Sequence, residues 1–149
     1  MHVFSIEPAG LKVLWVLVPV AVVLALVFTL LAISASGAWS SQFEVSEAGL
    51  RIRGDFYGRF IPAETLRTDA ARRVEVGAGS ELRPRLRTWG TGLPGYLSGW
   101  FRLSNGERAL VYVTDRQKAV YVPTTLGYAV LLSPDDPEGF LAAIRGAGR

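Results

Sequence analysis

Residues Arg87 to Phe101 read RTWGTGLPGYLSGWF, and the architecture of this chain is best worked out from them. They contain GTGLPG, which fits the pattern G-x-G-x-x-G found in dinucleotide-binding proteins. In those proteins an apolar strand precedes the glycines and a helix follows them, because the phosphates bind at the helix N-terminus. Here the basic segment RPRLRTW precedes the motif, Pro94 lies within it, and YLSGWF after it is typical of a strand. The motif therefore does not predict nucleotide binding.

The glycines of this stretch instead indicate a backbone that adopts conformations closed to other residues. Six glycines and two prolines lie between Gly77 and Gly99, so we expect a long loop that crosses the domain. The residues expected to shape this loop are Gly90, Gly92, Pro94, Gly95 and Gly99. Three large rings, Trp89, Tyr96 and Trp100, either pin the loop down by burial or form an exposed contact surface with nearby arginines.

An apolar run lies upstream of this domain. The 21 residues from Val13 to Ile33 carry no charge, and a helix of that length spans about 31 Å, which matches a bilayer core. Trp15 and Trp39 lie near its ends, where membrane interfaces favour tryptophan. We therefore expect a flank at residues 1–12, a single transmembrane helix at 13–33 and a linker at 34–42.

The alternative for this run is a secretory signal. Lys12 would be its basic part, and the small residues Ser36-Gly37-Ala38 would allow cleavage near Ala38. The run is longer than the ~7–15 apolar residues usual for a signal, which favours the uncleaved anchor.

Beyond residue 42, short alternating segments separated by turn residues predict a mainly-β domain of about seven or eight antiparallel strands. The predicted strands lie at 43–45, 50–52, 59–61, 72–76, 100–103, 109–114, 119–122 and 129–132. The late strands are apolar on both faces, so we expect them to be central or covered outside by the loop or a helix. Asn105-Gly106 predicts a hairpin. A short closing helix is expected after Asp136, with Phe140, Leu141 and Ile144 on its buried face and a stop at Gly146.

The composition limits the kinds of catalytic and metal-binding site that the domain can build. The chain has no cysteine, and its only histidine, His2, precedes the apolar run, so the domain cannot build a His-based triad or a His/Cys metal site. The acidic residues at 135, 136 and 138 are explained by helix capping. The formal charge of +3 includes no dense run of Lys and Arg. We expect a protein that is not an enzyme and takes no cofactor, no metal and no nucleic acid.

Several segments together resemble a known family. Behind an N-terminal membrane segment stand FEVSEAGLRIRG, YGRFIP, RTWGTGLPGYLSGWF, YVPT and LLSPDDPEGFLAAI, which are similar to the bacterial pleckstrin-homology (PH) domain proteins of the small membrane-anchored subgroup. The resemblance covers about residues 43–144, and its most specific part is the stretch from Arg87 to Phe101. It implies a strongly bent antiparallel barrel closed by a C-terminal helix, here residues 43–146. It also implies a binding and scaffolding role without established enzymatic activity.

Two sets of arginines are candidate anion sites. Arg83, Arg85 and Arg87 alternate, so in an extended segment they point the same way and would hold a phosphate or carboxylate. The alternative is a solvated strand edge with weak surface ion pairs. Arg51 and Arg53 lie near the first hairpin, where lipid-binding members of the wider PH superfamily hold inositol phosphates. The turn carries Glu47 here, which favours a simple outward arginine face.

These features predict a single-pass protein of the bacterial cell membrane that displays a PH-like interaction module. Its partner would be another protein or a second copy of the chain. The alternative is a module that binds anionic lipid headgroups through its arginine and aromatic loop. The residues expected at either contact are Arg83, Arg85, Arg87, Trp89, Tyr96 and Trp100. Lys12 favours a cytoplasmic N-terminus and hence an extracytoplasmic domain.

Overall fold

The computed structural model of the protein describes residues 10–54 and 56–149, in two compact units. The first unit ends at Ser36, and the second runs from Gly37 to Arg149. A 3-10 turn, Leu11–Val13, leads into helix α1, Leu14–Ser40. Because α1 continues to Ser40, most of the segment expected as a linker is helical. The flank up to residue 9, including His2, lies outside the described residues.

The stretch Leu11–Ile33 is long and apolar enough to cross a membrane. It has 23 residues and a mean hydropathy of 3.0, and none of it is buried by the rest of the protein. The one hydroxyl within this stretch, that of Thr29, donates to the carbonyl oxygen of Ala25 at 2.8 Å, so it is satisfied within the helix. Apolar residues surround the helix on all sides, which suits lipid rather than a protein surface with one wet face.

The second unit is built mainly from strands. Its strands and closing helix are β1 Gln42–Ser46, β2 Gly49–Arg53, β3 Phe60–Pro62, β4 Arg72–Val74, β5 Pro84–Leu93, β6 Tyr96–Leu103, β7 Arg108–Val113, β8 Ala119–Pro123, β9 Ala129–Leu132 and α2 Pro137–Ala147. Two 3-10 turns, Ala63–Thr65 and Thr68–Ala70, lie between β3 and β4. Eight of these strands correspond to predicted ones, and the additional strand is β5, inside the segment expected as a loop.

Backbone hydrogen bonds group the described strands into two sheets rather than one closed barrel. The smaller sheet has the order β1-β2-β3, and the larger has the order β4-β8-β9-β7-β6-β5. All neighbours are antiparallel except β7 and β9, which run parallel. That pair departs from the antiparallel expectation because β9 inserts between β7 and β8 instead of joining the sheet at its edge.

The two faces of the larger sheet belong to two separate cores. On one face, alternate residues such as Leu110 and Tyr112 pack with the smaller sheet and with Phe140, Leu141 and Ile144 of α2. On the other face, Val111 and its alternate neighbours pack with Val76 and Leu82. The segment between β4 and β5 therefore covers the outer face. This confirms that the late strands are central and covered on both sides.

Helix α2 begins where the sequence predicts. The Asp136 carboxylate accepts a hydrogen bond from the Gly139 N–H at 3.0 Å, and Pro137 occupies the first helical position. The predicted stop at Gly146 is early, because the helix ends at Ala147 with Gly148 as its C-cap. Arg145 donates to the carbonyl oxygen of Ala71 at 3.1 Å, which ties the helix to the segment before β4.

A tyrosine in the outer core makes the stability of the domain sensitive to alkaline pH. The Tyr121 hydroxyl donates to the Glu107 carboxylate, at 2.9 and 2.8 Å from its two oxygens. Burial of the phenol, followed by the hydrogen bond and the negative charge of Glu107, raises the pKa of Tyr121 to about 12. The unfolded chain releases this proton near pH 10, so stability falls as pH rises from about 10 to 12, by at most about 1.4 kcal/mol per pH unit.

Tyr121→Phe should remove this dependence while leaving the stability at pH 8 lower by about 1 kcal/mol for the lost hydrogen bond. The measurement is the denaturation midpoint of the wild-type and variant chains in mild detergent at pH 8, 10 and 11. Equal losses in the two proteins between pH 10 and 11 would show that Tyr121 is not the titrating group.

Candidate functional site

The long glycine-rich segment forms a β-hairpin in place of the expected loop. β5 and β6 pair from Pro84 opposite Leu103 to Leu93 opposite Tyr96, and Pro94-Gly95 forms the two-residue connection. Gly95 has φ +79°, as the third residue of a type II turn requires, and Pro94 precedes it in the position that proline favours. GTGLPG therefore lies on a strand and its turn, and a strand follows it in place of the helix that a dinucleotide-binding motif requires.

The loop prediction was wrong because β5 lacks the pattern that identifies a strand. It is the edge strand of its sheet, and most of its side chains are exposed. A strand with one buried face alternates apolar and polar residues, whereas PRLRTWGTGL does not. Its hydrogen bonds to β6 hold it in place.

Two glycines bring the hairpin backbones into close contact. Gly90 and Gly99 pair across the strands with φ of +152° and +116°, in the region that favours glycine. A Cβ on Gly90 would lie 2.2 Å from the carbonyl oxygen of Ser98, and one on Gly99 would lie 2.5 Å from that of Trp89. At Gly92 a Cβ would meet only side chains, at 3.5 Å and beyond. The backbone geometry therefore requires glycine at Gly90 and Gly99, whereas the position of Gly92 has room for a Cβ.

Bulges interrupt β5 and alter the arrangement of its arginines. The register with β6 shifts between Pro84 and Leu86 and again between Arg87 and Trp89. Each bulge adds a residue to β5 and breaks the alternation of faces. The inference that Arg83, Arg85 and Arg87 point the same way assumed unbroken alternation, so it does not apply to this strand.

The structure brings together two of the three arginines. Arg83 and Arg85 line one open depression of about 540 Å³, with Ser80, Glu81 and Ser104 also on its wall. Arg87 does not line it. A guanidinium nitrogen of Arg87 instead lies 3.5 Å from the position that a Cβ on Gly92 would occupy. A contact role for these arginines stays a prediction.

The three aromatic rings separate into buried and exposed groups. Tyr96 is 5 % exposed and Trp100 is 9 % exposed, so both belong to the packed interior, as the burial alternative expects. Trp89 is 71 % exposed on the edge strand. Of the three rings expected at a partner contact, only Trp89 is therefore exposed on the folded domain.

Trp100 is enclosed by cationic and aromatic neighbours that sequence reasoning missed. The guanidinium carbon of Arg59 lies 4.7 Å from the ring centroid, and that of Arg108 lies 4.3 Å from it. The ring of Tyr128 meets Trp100 edge-on at 4.9 Å. These residues come from different parts of the chain, and no sequence motif links them. Such cation–π contacts are worth roughly 0.5–1 kcal/mol each at exposed sites.

Around Trp100 the sheet presents an exposed surface of arginines and apolar side chains. The register places Trp89 beside Trp100, Leu86 beside Arg102, and Arg102 beside Arg108. Cross-strand partners share a face of the sheet, so these side chains lie together. We name this surface the tryptophan face and define it by Arg59, Leu86, Trp89, Arg102 and Arg108, all of which are exposed. Aromatic residues and arginine are the types enriched at protein interfaces.

The first hairpin has a simpler explanation. Arg51 lies opposite Phe60, with its guanidinium carbon 5.4 Å from the ring centroid. Arg53 forms an ion pair with Glu44 at 3.4 Å. Both arginines are exposed on the outer side of β2, while Leu50 and Ile52 are buried. This is the outward arginine face that the sequence favours over an anion site.

A second depression lies elsewhere on the domain. Its volume is about 480 Å³, and its wall includes Phe43, Tyr96, Tyr112, Thr114, Ser133 and Asp135. Thr114 and Ser133 form a hydrogen bond to each other at 3.1 Å. Within the described residues, no three His, Cys, Asp or Glu side chains are grouped closely enough to hold a metal ion. The depression thus has aromatic and hydroxyl walls without a metal-ligand set.

Comparison with known proteins identifies the domain. A family model described as a bacterial PH domain matches residues 41–148. No curated protein and no solved structure matched the chain. The matched range contains both sheets and all of α2, so it accounts for nearly the whole β-rich unit. The chain belongs to the bacterial PH domain family.

Proposed function

We propose that this protein is a membrane-anchored, non-catalytic interaction module that binds a protein partner along the free edge of β5. One observation carries the proposal: β5 is a ten-residue edge strand whose side chains are mostly exposed. Among the described residues, no backbone group from Pro84 to Leu93 forms a backbone hydrogen bond outside the pairing with β6. An edge of this length offers the groups that an added strand requires.

The opposite edge of the same sheet is less suited to this role. β4 has only three residues, Arg72–Val74, and α2 packs near it. Arg73 on β4 also approaches Glu138 of α2 at 4.0 Å. A strand added there would meet the helix before it formed more than a few hydrogen bonds. The domain therefore has one long accessible edge in this sheet, and that edge is β5.

The apolar helix supports the anchoring part of the proposal. A single span would hold the domain at a membrane, and Lys12 ahead of the helix favours a domain outside the cytoplasm. The alternative function is binding to anionic lipid headgroups. It is favoured by the exposed Trp89 and Leu86 among the arginines of the tryptophan face, a composition that also suits a membrane interface.

Site-specific photocrosslinking tests the partner. A photoreactive phenylalanine replaces Trp89 on β5 in the full-length chain, and a matched control replaces Arg73 on β4 at the other edge of the sheet. After irradiation of intact cells, we expect a discrete protein adduct from position 89 and none from position 73. The mass of the uncrosslinked product also tests the anchor, because cleavage near Ala38 would shorten it.

Two results would contradict the proposal. Adducts of the same mass from both positions would show that β5 is not the contact surface. Crosslinks from position 89 that contain only lipid would favour the headgroup alternative instead.

A further inference from the structure

We infer that the partner presents an acidic, extended segment, which adds to β5 as a further antiparallel strand. This inference rests on the proposed function and specifies the chemistry of the partner. Its first support is a regular part of the edge. From Trp89 opposite Trp100 to Leu93 opposite Tyr96, β5 pairs with β6 over five consecutive residues without a bulge. Alternate residues of this stretch turn their N–H and C=O groups away from β6, towards the side where an added strand would pair.

The second support is positive charge on both faces of the sheet near this edge. Arg87 pairs with Phe101, so it lies on the face of the sheet that packs with Val76 and Leu82. Arg102 and Arg108 lie on the tryptophan face, with Arg59 over Trp100. Successive side chains of an added strand point alternately to these two faces, and the charge that each face presents near the edge is positive.

Within the part of the chain that the structure describes, none of these arginines is neutralised by an ion pair. Among residues 10–54 and 56–149, Arg59, Arg87, Arg102 and Arg108 have no carboxylate oxygen within the 4.0 Å of an ion pair. Arg102 donates to the carbonyl oxygen of Gly106 at 2.9 Å, which orients it without neutralising it. All of these cations are arginine, whose planar guanidinium binds carboxylates through two parallel hydrogen bonds. The surface therefore fits glutamate and aspartate side chains.

A second copy of the chain fits this edge poorly. Two β5 strands paired with each other would join two edges that both carry positive charge, and repulsion between like charges opposes such a pair. The two bulges at the start of β5 would limit regular pairing between two copies to the short stretch from Trp89 to Leu93. Charged and bulged edges resist self-pairing in this way, while an acidic strand relieves the repulsion.

Peptide binding to the full-length chain in neutral detergent tests the inference. The probe is a fluorescent eight-residue peptide that alternates glutamate and valine. One control peptide carries lysine in place of glutamate, and another is N-methylated at every residue, which keeps the charge but removes the strand hydrogen bonds. We expect the acidic peptide to bind, the N-methylated peptide to bind at least about tenfold more weakly, and the lysine peptide not to bind.

Charge reversal on the protein supplies the matching test. Arg87→Glu and Arg108→Glu should each weaken the binding of the acidic peptide at least about tenfold. Arg73→Glu on the opposite edge should leave its affinity unchanged. All three positions are exposed, and the tryptophan fluorescence of each variant checks that the domain is folded.

Four outcomes would overturn the inference. Equal binding of the N-methylated peptide would mean attraction by charge alone, and equal binding of the lysine peptide would exclude acidic selectivity. Displacement of the peptide by nanodiscs containing phosphatidylglycerol, but not by phosphatidylcholine nanodiscs, would make a membrane surface the ligand of these arginines. If position 89 crosslinks to a protein but no acidic peptide binds, the proposed function is supported and the inference that the partner is acidic is wrong.

Discussion

Gly90→Ala and Gly99→Ala are each expected to destabilise the domain by about 3 kcal/mol or more. Both glycines have positive φ, a conformation that costs other residues about 1–3 kcal/mol. The new Cβ would also lie 2.2 Å from the carbonyl oxygen of Ser98 at Gly90, or 2.5 Å from that of Trp89 at Gly99. Those oxygens belong to the backbone, so the strands have to separate to admit the methyl group, which adds about 1–3 kcal/mol.

Gly92→Ala is the matched control in the same hairpin. Its φ lies outside the glycine region, and its Cβ would make ordinary contacts with the side chains of Arg87 and Leu97. We expect a change within about 1 kcal/mol, because alanine also restricts the unfolded chain. The measurement is the denaturant midpoint of the full-length variants in mild detergent, followed by tryptophan fluorescence. Equal stability of Gly90→Ala and Gly92→Ala would refute the close backbone approach.

The part of the fold that sequence reasoning recovered follows from burial. Strands β7, β8 and β9 are buried on both faces, so almost all of their residues are apolar and the strands are recognisable from composition alone. Helix α2 was predicted from its spacing of buried residues and from Asp136, since capping is a local interaction. These features depend on neighbouring residues in the chain or on a simple period.

The part that sequence reasoning missed depends on what surrounds each residue. β5 shows no alternation of apolar and polar residues, because neither face of this exposed edge strand is buried. Its bulges were also invisible, so the alternation of Arg83, Arg85 and Arg87 suggested a shared side that the register does not support. The contacts of Arg59 and Arg108 with Trp100 join distant segments. No local pattern predicts a contact of that kind.

The aromatic residues show the same limit. Trp89 and Trp100 are both tryptophans in one glycine-rich stretch, and nothing in their immediate sequence distinguishes a buried ring from an exposed one. Their difference arises from the sheet order, in which β6 lies inside and β5 lies at the edge. The candidate contact set therefore mixed interior and surface residues, and only the fold separates them.

Trp100→Ala and Trp89→Ala should consequently affect different properties: the first should lower the stability of the domain, and the second should weaken peptide binding. Trp100 is buried among Arg59, Arg108 and Tyr128, so its truncation removes a large packed ring and leaves a cavity. We expect a loss of about 3–5 kcal/mol. Trp89 is exposed, and its removal should change the stability by no more than about 0.5 kcal/mol. The same substitution should weaken binding to the acidic peptide by about tenfold, because aromatic side chains dominate interface energies.

Both properties can be measured on the same two variants. Denaturation monitored by circular dichroism in mild detergent reports stability, and the fluorescent glutamate–valine peptide reports binding. Trp100→Phe is the control for packing, since it keeps an aromatic ring and should recover part of the lost stability. A stable Trp100→Ala variant would show that the enclosing arginines hold the domain together without the indole. Unchanged peptide affinity in Trp89→Ala would show that the arginines and the backbone edge of β5 bind the peptide without the ring that β5 exposes.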